Sequence, residues 1–436
     1  MEQAIKKGIE QYRAAYETLS PAIEAGIEKY RKGNFRIEVT RSDGTPLSVT
    51  VRTVQKKHAF DFGTSALMLG AMGDKEEAYR EAITNLFNLV TTTFCWSVTE
   101  TEPQKYRFAE GSEEIYRRPP ADRVLRFAEE NGMKAKGQPL FCGRWCPDWV
   151  EKDLDTLKAR WTDYVKEVAK RYDGKYRIFD VTNESYQTNG TWKNMSWLPI
   201  TNGELVEWML KTAGEIFSEN CVMERNETTR VNYGTYADIY YEENKALTEK
   251  KVRLDAIGFQ FHFFSGQSCV ENHLLGEAGL QSIFDTYQKM STLGVPLYIT
   301  EITIPSVYEG MSAEEGESLQ AEILEKLYKL WFSIPRMRGI IYWNIKEGDA
   351  WKNEGDCRGC LVDEYLRKKK SYCVLEWLLK KEWNTALTAQ SDENGTVSFR
   401  GFYGEYEITA TDERGDARTF RHTFEKDNDV LKIVLP

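Results

Sequence analysis

From His58 onward, apolar strand-like runs alternate with amphipathic helical stretches, and no other feature of this 436-residue chain limits its fold so narrowly. Parallel strands cannot be joined by a tight turn, so a helix between successive strands marks repeated βαβ units. The candidate strands are Ala59–Thr64, Leu89–Cys95, Lys134–Phe141, Tyr176–Val181, Arg230–Tyr233, Leu254–Gln260, Pro296–Thr300 and Gly339–Trp343. Helices are predicted at Lys75–Phe87, Ala121–Asn131, Asp153–Tyr172, Gly203–Glu219, Tyr236–Lys250, Leu275–Leu293, Ala313–Phe332 and Ser371–Glu382. Eight such units close a (β/α)8 TIM barrel, an α/β fold of about 250 residues or more. The expected barrel covers residues 58–383.

Two other textures flank it. Residues 1–33 place Ile5, Ile9, Tyr12, Ala15 and Tyr16 at helical spacing, and Ser20-Pro21 predicts a break before a second helix. Residues 34–57 alternate in polarity around Arg41-Ser42-Asp43-Gly44, the pattern of a β-hairpin. Residues 384–436 hold short alternating runs at Val397–Phe402, Glu405–Thr411, Ala417–Phe424 and Val430–Leu435, a small antiparallel β unit whose few aromatics favour a structural role over that of a sugar-binding module. An isolated hairpin is marginally stable at best, so the hairpin is expected to join this unit in one sheet.

The balance of charge excludes several functions. With a net charge of −10 and no basic stripe, the chain is not built to bind nucleic acid. The Arg367-Lys368-Lys369-Lys370 cluster reads as a solvated turn, and no apolar run of about 18 residues suggests a membrane span. The opening Met-Glu-Gln-Ala-Ile-Lys-Lys lacks the features of a secretory signal, so a cytoplasmic location is expected. The eight cysteines do not sit at metal-finger spacings and are expected to be free thiols; Cys357-Arg358-Gly359-Cys360 stands without partner ligands. Neither a metal nor a cofactor is expected, and the oligomeric state is left open.

Glu184 and Glu301 each end a strand-like run and precede loop-like sequence. Barrel enzymes carry their active sites at these strand ends, and two facing carboxylates are the minimal equipment for breaking a glycosidic bond. Asp180-Val181-Thr182-Asn183-Glu184 resembles the acid/base segment of glycoside hydrolase family 10, best known for endo-β-1,4-xylanases. Gly294-Val295-Pro296-Leu297-Tyr298-Ile299-Thr300-Glu301-Ile302 is similar to that family's nucleophile signature, departing at Thr303 where an acid or amide is usual. Asp255-Ala256-Ile257-Gly258-Phe259-Gln260-Phe261-His262 is similar to the preceding strand.

The resemblance implies retaining hydrolysis of a β-glycosidic bond, with Glu301 as nucleophile and Glu184 as acid/base. Such a pair stands about 5–5.5 Å apart, against about 6.5–9.5 Å in inverting enzymes. It also implies that Asn183 bonds the sugar 2-hydroxyl, that His262 orients the nucleophile, that Gln260 meets sugar or His262, and that Trp343 and Trp351 wall the cleavage subsite. The expected partner is a carbohydrate or glycoside.

The xylanase pattern fails on the glycone side. Where xylanases carry Asn-x-x-Lys-Trp ahead of a Glu-Pro pair, Glu102-Pro103 is kept but Phe94 and Ser97 hold the polar positions. The Gly-His-Thr-Leu-Val-Trp-His run becomes Gly137-Gln138-Pro139-Leu140-Phe141-Cys142-Gly143, followed by Arg144-Trp145. A site built for hydroxyls discriminates through its hydrogen bonds, so these exchanges imply a different sugar. Phe94, Trp96, Gln138, Arg144 and Trp145 are expected to form the replacement surface. A conventional xylanase and a catalytically silent carbohydrate-binding barrel are the competing readings; metal-dependent hydrolysis is disfavoured because the four histidines lie far apart.

Overall fold

The computed structural model describes residues 2–186, 195–276 and 279–436. Eight parallel strands close a barrel: Asp61–Ser65, Leu89–Thr93, Lys134–Gln138, Ile178–Asn183, Val222–Glu227, Ala256–His262, Leu297–Thr303 and Met337–Tyr342. They pair in chain order and the eighth returns to the first. The strands are followed in turn by helices Glu76–Leu86, Ala121–Glu130, Leu154–Tyr172, Asn202–Ile216, Gly234–Glu249, Gly279–Ser291, Ala313–Ser333 and Lys370–Trp377. Of the helix predicted over Leu275–Leu293, residues 277–278 lie outside the described residues.

The fifth strand corrects the sequence reading. It is Val222–Glu227, whereas the predicted Arg230–Tyr233 falls on a 3-10 turn at Thr229–Asn232. Glu224-Arg225-Asn226-Glu227 is too polar to register as a barrel strand by apolar pattern, yet all four residues are buried. Their burial is made possible by partners from other strands. Lys136 of the third strand reaches Asp180 of the fourth and, at 2.9 Å, Glu224 of the fifth, and none of the three has exposed surface. Burial works against the Lys136 ammonium, but the two carboxylates outweigh it and hold its pKa above the ordinary value. Burial raises both Asp180 and Glu224, with Lys136 opposing. Gly258 makes room for this group, since a Cβ there would lie 2.2 Å from Glu224 Oε1.

The N-terminal segment is one helix, Glu2–Arg31, not two. Pro21 cannot donate to the carbonyl four residues back, but the Ser20 hydroxyl donates to that Glu17 oxygen at 3.1 Å, so no acceptor is stranded. The helix buries Ile5, Ile9, Tyr12, Leu19 and Ile23 and packs against Ala313–Ser333. At its end, Arg31 donates to the backbone oxygens of Phe332 and Ile334.

Apart from a short ribbon of Glu100–Glu102 with Lys105–Tyr106, the other described strands form a sandwich. One sheet orders Thr396–Phe402, Lys32–Arg41 and Asp429–Leu435; the other orders Ala386–Gln390, Val49–His58, Gly404–Asp412 and Ala417–Phe424. The expected hairpin exists only at its tip, where Arg41 N–H donates to Thr45 O at 2.8 Å and Leu47 N–H to Val39 O at 3.0 Å. Beyond it the two strands part into different sheets, not the single sheet expected. Phe35, Ile37 and Val39 of one strand and Val49 and Val51 of the other then share a core with Tyr406, Ile408 and Phe424. A flat ribbon would have left that apolar face in water.

His58 lies where sandwich and barrel meet, its ring 5.3–5.6 Å from those of Phe62, Phe332 and Phe402. Its Nδ1 accepts from Phe60 N–H at 3.0 Å, while Nε2 is buried with no hydrogen-bond partner among the described residues. Burial, with help from Arg31, pushes its pKa down from 6.5 to about 3. The folded-state pKa is therefore below the unfolded one, so the stability contributed by neutral His58 is complete above pH 6.5 and is lost as pH falls toward 3. Between pH 6.5 and 4.5, the wild type is expected to lose about 2 kcal/mol more stability than His58→Leu. Urea denaturation at both pH values checks this; equal losses would show that the folded protein tolerates imidazolium at this position.

Candidate active site

The C-terminal ends of the barrel strands open into a cleft of about 520 Å³ lined by both Glu184 and Glu301. Glu301, on the seventh strand, is only 4% exposed. Its Oε1 accepts from Gln138 Nε2 and, at 3.1 Å, from Asn226 Nδ2. Its Oε2 lies 3.1 Å from His262 Nε2. A carboxylate only accepts, so Nε2 carries the hydrogen, and in the neutral ring Nδ1 accepts from the Thr303 hydroxyl at 3.0 Å. Phe264 stacks on the imidazole at 5.0 Å and fixes its plane.

Asn226 connects this carboxylate to the barrel interior. Its Oδ1 accepts from Thr300 Oγ1 at 2.7 Å, and its Nδ2 also reaches Asp180 Oδ2 at 3.2 Å. Glu301 is thus anchored on side chains from three other positions, two of which, Asn226 and His262, have further partners of their own.

Glu184 follows the last residue of the fourth strand and has φ of +55°, a left-handed conformation that is uncommon for a residue with a Cβ. Its backbone N–H donates to Asn226 O at 3.3 Å. Gln260 Nε2 meets both Asn183 Oδ1 at 3.0 Å and Glu184 Oε1 at 3.3 Å, and Arg144 Nη2 lies 3.1 Å from Glu184 Oε2. The Glu184 side chain is 18% exposed and the Arg144 side chain 49%. The turn beyond is clamped by Glu227, which accepts from Ser185 N–H at 2.8 Å, Tyr186 N–H at 3.2 Å and the Ser185 hydroxyl. Burial pushes the Glu227 carboxyl up to about 7, against the pull of Arg225 and these hydrogen bonds.

The structure brings Asn183, Gln260, His262, Gln138, Arg144, Trp145, Trp343 and Trp351 to the same cleft as the two glutamates. Phe94 is a correction: it has no exposed surface, and its ring packs edge-on against Tyr172, Tyr176 and Phe179 at 5.1–5.4 Å. Strand alternation explains this, because its neighbours Thr93 and Cys95 line the cleft and Phe94 must face the helices. Trp96 is also internal, stacked on Tyr164 with its indole N–H on Glu100 at 2.7 Å. Lys369 corrects the reading of the basic turn; it is 4% exposed and reaches Glu347 and Arg358 O.

Asn226, Glu227, Arg117 and Arg118 were not legible as site residues. The first two were lost with the misplaced fifth strand, and the arginines sit in a long loop after the second strand with no motif around them. All eight cysteines are free, and among the described residues no group of His, Cys, Asp or Glu could hold a metal ion. No described helix is long and apolar enough to cross a membrane.

The family model described as Glycosyl hydrolase family 10 matches residues 51–376. The chain is 30% identical over 390 residues to the anti-sigma-I factor RsgI6 of Acetivibrio thermocellus, a match covering 88% of this chain but only 46% of that protein. It is 24% identical to endo-1,4-beta-xylanase B of Thermotoga neapolitana, covering 70% of this chain and 84% of the xylanase. Among solved structures it is similar to xylanase 10B from Thermotoga petrophila RKU-1 in complex with xylobiose, with a TM-score of 0.62, 25% identity and coverage of 74% and 95%.

The Glu227 clamp makes a prediction independent of turnover. In Glu227→Ala the Ser185 and Tyr186 amides lose their acceptor, and hydrogen exchange in the peptide containing them is expected to quicken about tenfold or more while the barrel strands stay protected. Mass-spectrometric exchange checks it; unchanged protection would show that other contacts hold the turn.

Proposed function

The chain belongs to glycosyl hydrolase family 10, and on that footing we propose that it is a retaining β-glycoside hydrolase with a glycone side unlike that of a xylanase. The observation that carries this reading is the contrast between two carboxylates in one cleft: Glu301 is buried and held by Gln138, Asn226 and His262, whereas Glu184 is more open and meets Gln260 and the half-exposed Arg144. A nucleophile must be aimed, and a proton carrier must change state twice. Glu301 attacks the anomeric carbon while Glu184 gives its proton to the leaving oxygen; Glu184 then takes a proton from water, whose oxygen displaces Glu301. Asn183, fixed by Gln260, suits a contact with the sugar 2-hydroxyl, and Trp343 with Trp351 offers ring faces to sugar C–H groups.

The altered glycone side is supported by where the exchanged residues lie. Phe94 contributes no surface to the cleft, and the Gln138 amide nitrogen is engaged by Glu301. A second reading, saccharide binding without turnover, draws on the relative named an anti-sigma factor. The coexistence of an anchored carboxylate and a proton carrier favours catalysis, since a binder needs neither.

Glu301→Ala is expected to abolish hydrolysis of every glycoside while keeping saccharide binding. Glu184→Ala is expected to spare substrates whose leaving group needs no proton and, with added azide, to form a β-glycosyl azide. An α-azide would refute retention. On specificity, kcat/KM on unsubstituted linear xylo-oligosaccharides is expected to fall below about 10⁴ M⁻¹s⁻¹, the lower edge of the ordinary enzyme range, and a panel of other β-glycosides to contain a better substrate. Xylo-oligosaccharides ranking first would make the protein a conventional xylanase.

A further inference from the structure

The half of the cleft built by the loops after the second and third strands is cationic. Arg117, Arg118, Arg144 and Trp145 all line it. Arg117 is already engaged: it donates to Asn344 Oδ1 at 2.9 Å and Asp349 O, and lies 3.9 Å from Glu354. Arg118 is different. Its guanidinium lies 5.1 Å from the Trp145 ring and donates to Arg117 O at 2.8 Å, and no carboxylate of the described residues stands within 4.0 Å of it. Among the described residues Arg144 meets one carboxylate, that of Glu184.

Resting on the proposed mechanism, this last pair contains a contradiction that an anionic substrate would resolve. An ion pair needs Glu184 ionised, whereas the first chemical step needs Glu184 to carry the proton it donates. The two states exclude each other, so in the productive complex Arg144 faces a neutral acid and has lost its counter-charge. With Arg118, two guanidinium groups lining the same cleft then stand without a carboxylate, one of them over the Trp145 indole. A planar guanidinium pairs best with a carboxylate through paired N–H donors, and an indole lining the same cleft suits a sugar ring.

We infer that the substrate is an acidic saccharide whose carboxylate binds Arg118 and Arg144 over Trp145, so that substrate binding draws Arg144 off Glu184 and leaves Glu184 able to hold its proton. The carboxylate belongs to a uronic acid, either in the main chain or as a branch on a neutral chain. The Arg144–Glu184 pair thereby becomes a specificity device: a neutral sugar supplies nothing to replace it, and the acid stays paired.

Calorimetric titration of the Glu301→Ala protein tests this with three ligands of equal length: an unbranched xylo-oligosaccharide, the same chain carrying one uronic acid branch, and a β-linked oligouronide. At low salt at least one acidic ligand is expected to bind about tenfold or more tightly than the neutral one, and which of the two does so identifies the source of the carboxylate. Adding Arg118→Gln and Arg144→Gln to the same background is expected to bring the ratio toward one, with Arg118→Lys and Arg144→Lys keeping part of it. Equal affinity for acidic and neutral ligands, or a preference that survives both glutamine substitutions, overturns the inference. Turnover of neutral aryl β-glycosides by the wild type is measured in parallel. Turnover without an acidic preference leaves the hydrolase reading standing and removes this one; an arginine-dependent acidic preference without turnover of any ligand does the reverse.

Discussion

The ammonium of Lys136 lies inside a closed barrel with no contact with water, between two carboxylates that would otherwise be buried without compensation. Removing one member of such a group leaves an unpaired charge, which costs about 3–5 kcal/mol in comparable interiors. The consequence reaches the cleft, because Asp180 also accepts from Asn226, and Asn226 donates to Glu301. Glu301 is therefore oriented by a polar chain that begins in the barrel's middle, where side chains have no room to reorient. Gly258 belongs to the same constraint, since any side chain there would occupy the space of Glu224.

Much of the barrel was readable because its strands are apolar and its helices amphipathic, and the two glutamates were readable because local motifs surround them. The fifth strand was not, for a reason that is itself physical. Sequence patterns assume that burial means apolar, and Glu224, Arg225, Asn226 and Glu227 are buried because Lys136, Glu243, Thr300 and Ser185 answer them from distant positions. Pro21 shows the same limit on a smaller scale: a helix breaker is tolerated when a neighbouring hydroxyl takes over the stranded carbonyl. Phe94 shows another, since an aromatic at a strand end faces the cleft or the helices depending on a register that one residue reverses.

The two carboxylates of the cleft differ in mechanical support as much as in burial. Glu301 sits within a strand and is gripped from several strands, while Glu184 begins a turn in a left-handed backbone conformation steadied by Asn226 O and by the Glu227 clamp on the next two residues. Support under the chain coexists there with a side chain that meets Gln260 and the half-exposed Arg144. Glu184 is thus the more solvent-accessible of the two carboxylates, whereas Glu301 is almost fully buried.

The two sheets of the sandwich each combine strands from the beginning and the end of the sequence, and Lys32–Arg41 pairs in parallel with Asp429–Leu435. On a ribosome the first of these strands emerges before the barrel and the last after it. At about 5–20 residues per second, the early strands wait on the order of a minute with their edges unpaired. The long N-terminal helix cannot complete its seat on Ala313–Ser333 during most of that interval either. These strands thus find their partners only after the whole barrel has been synthesised, which makes the nascent chain, more than the folded protein, the species exposed to mispairing.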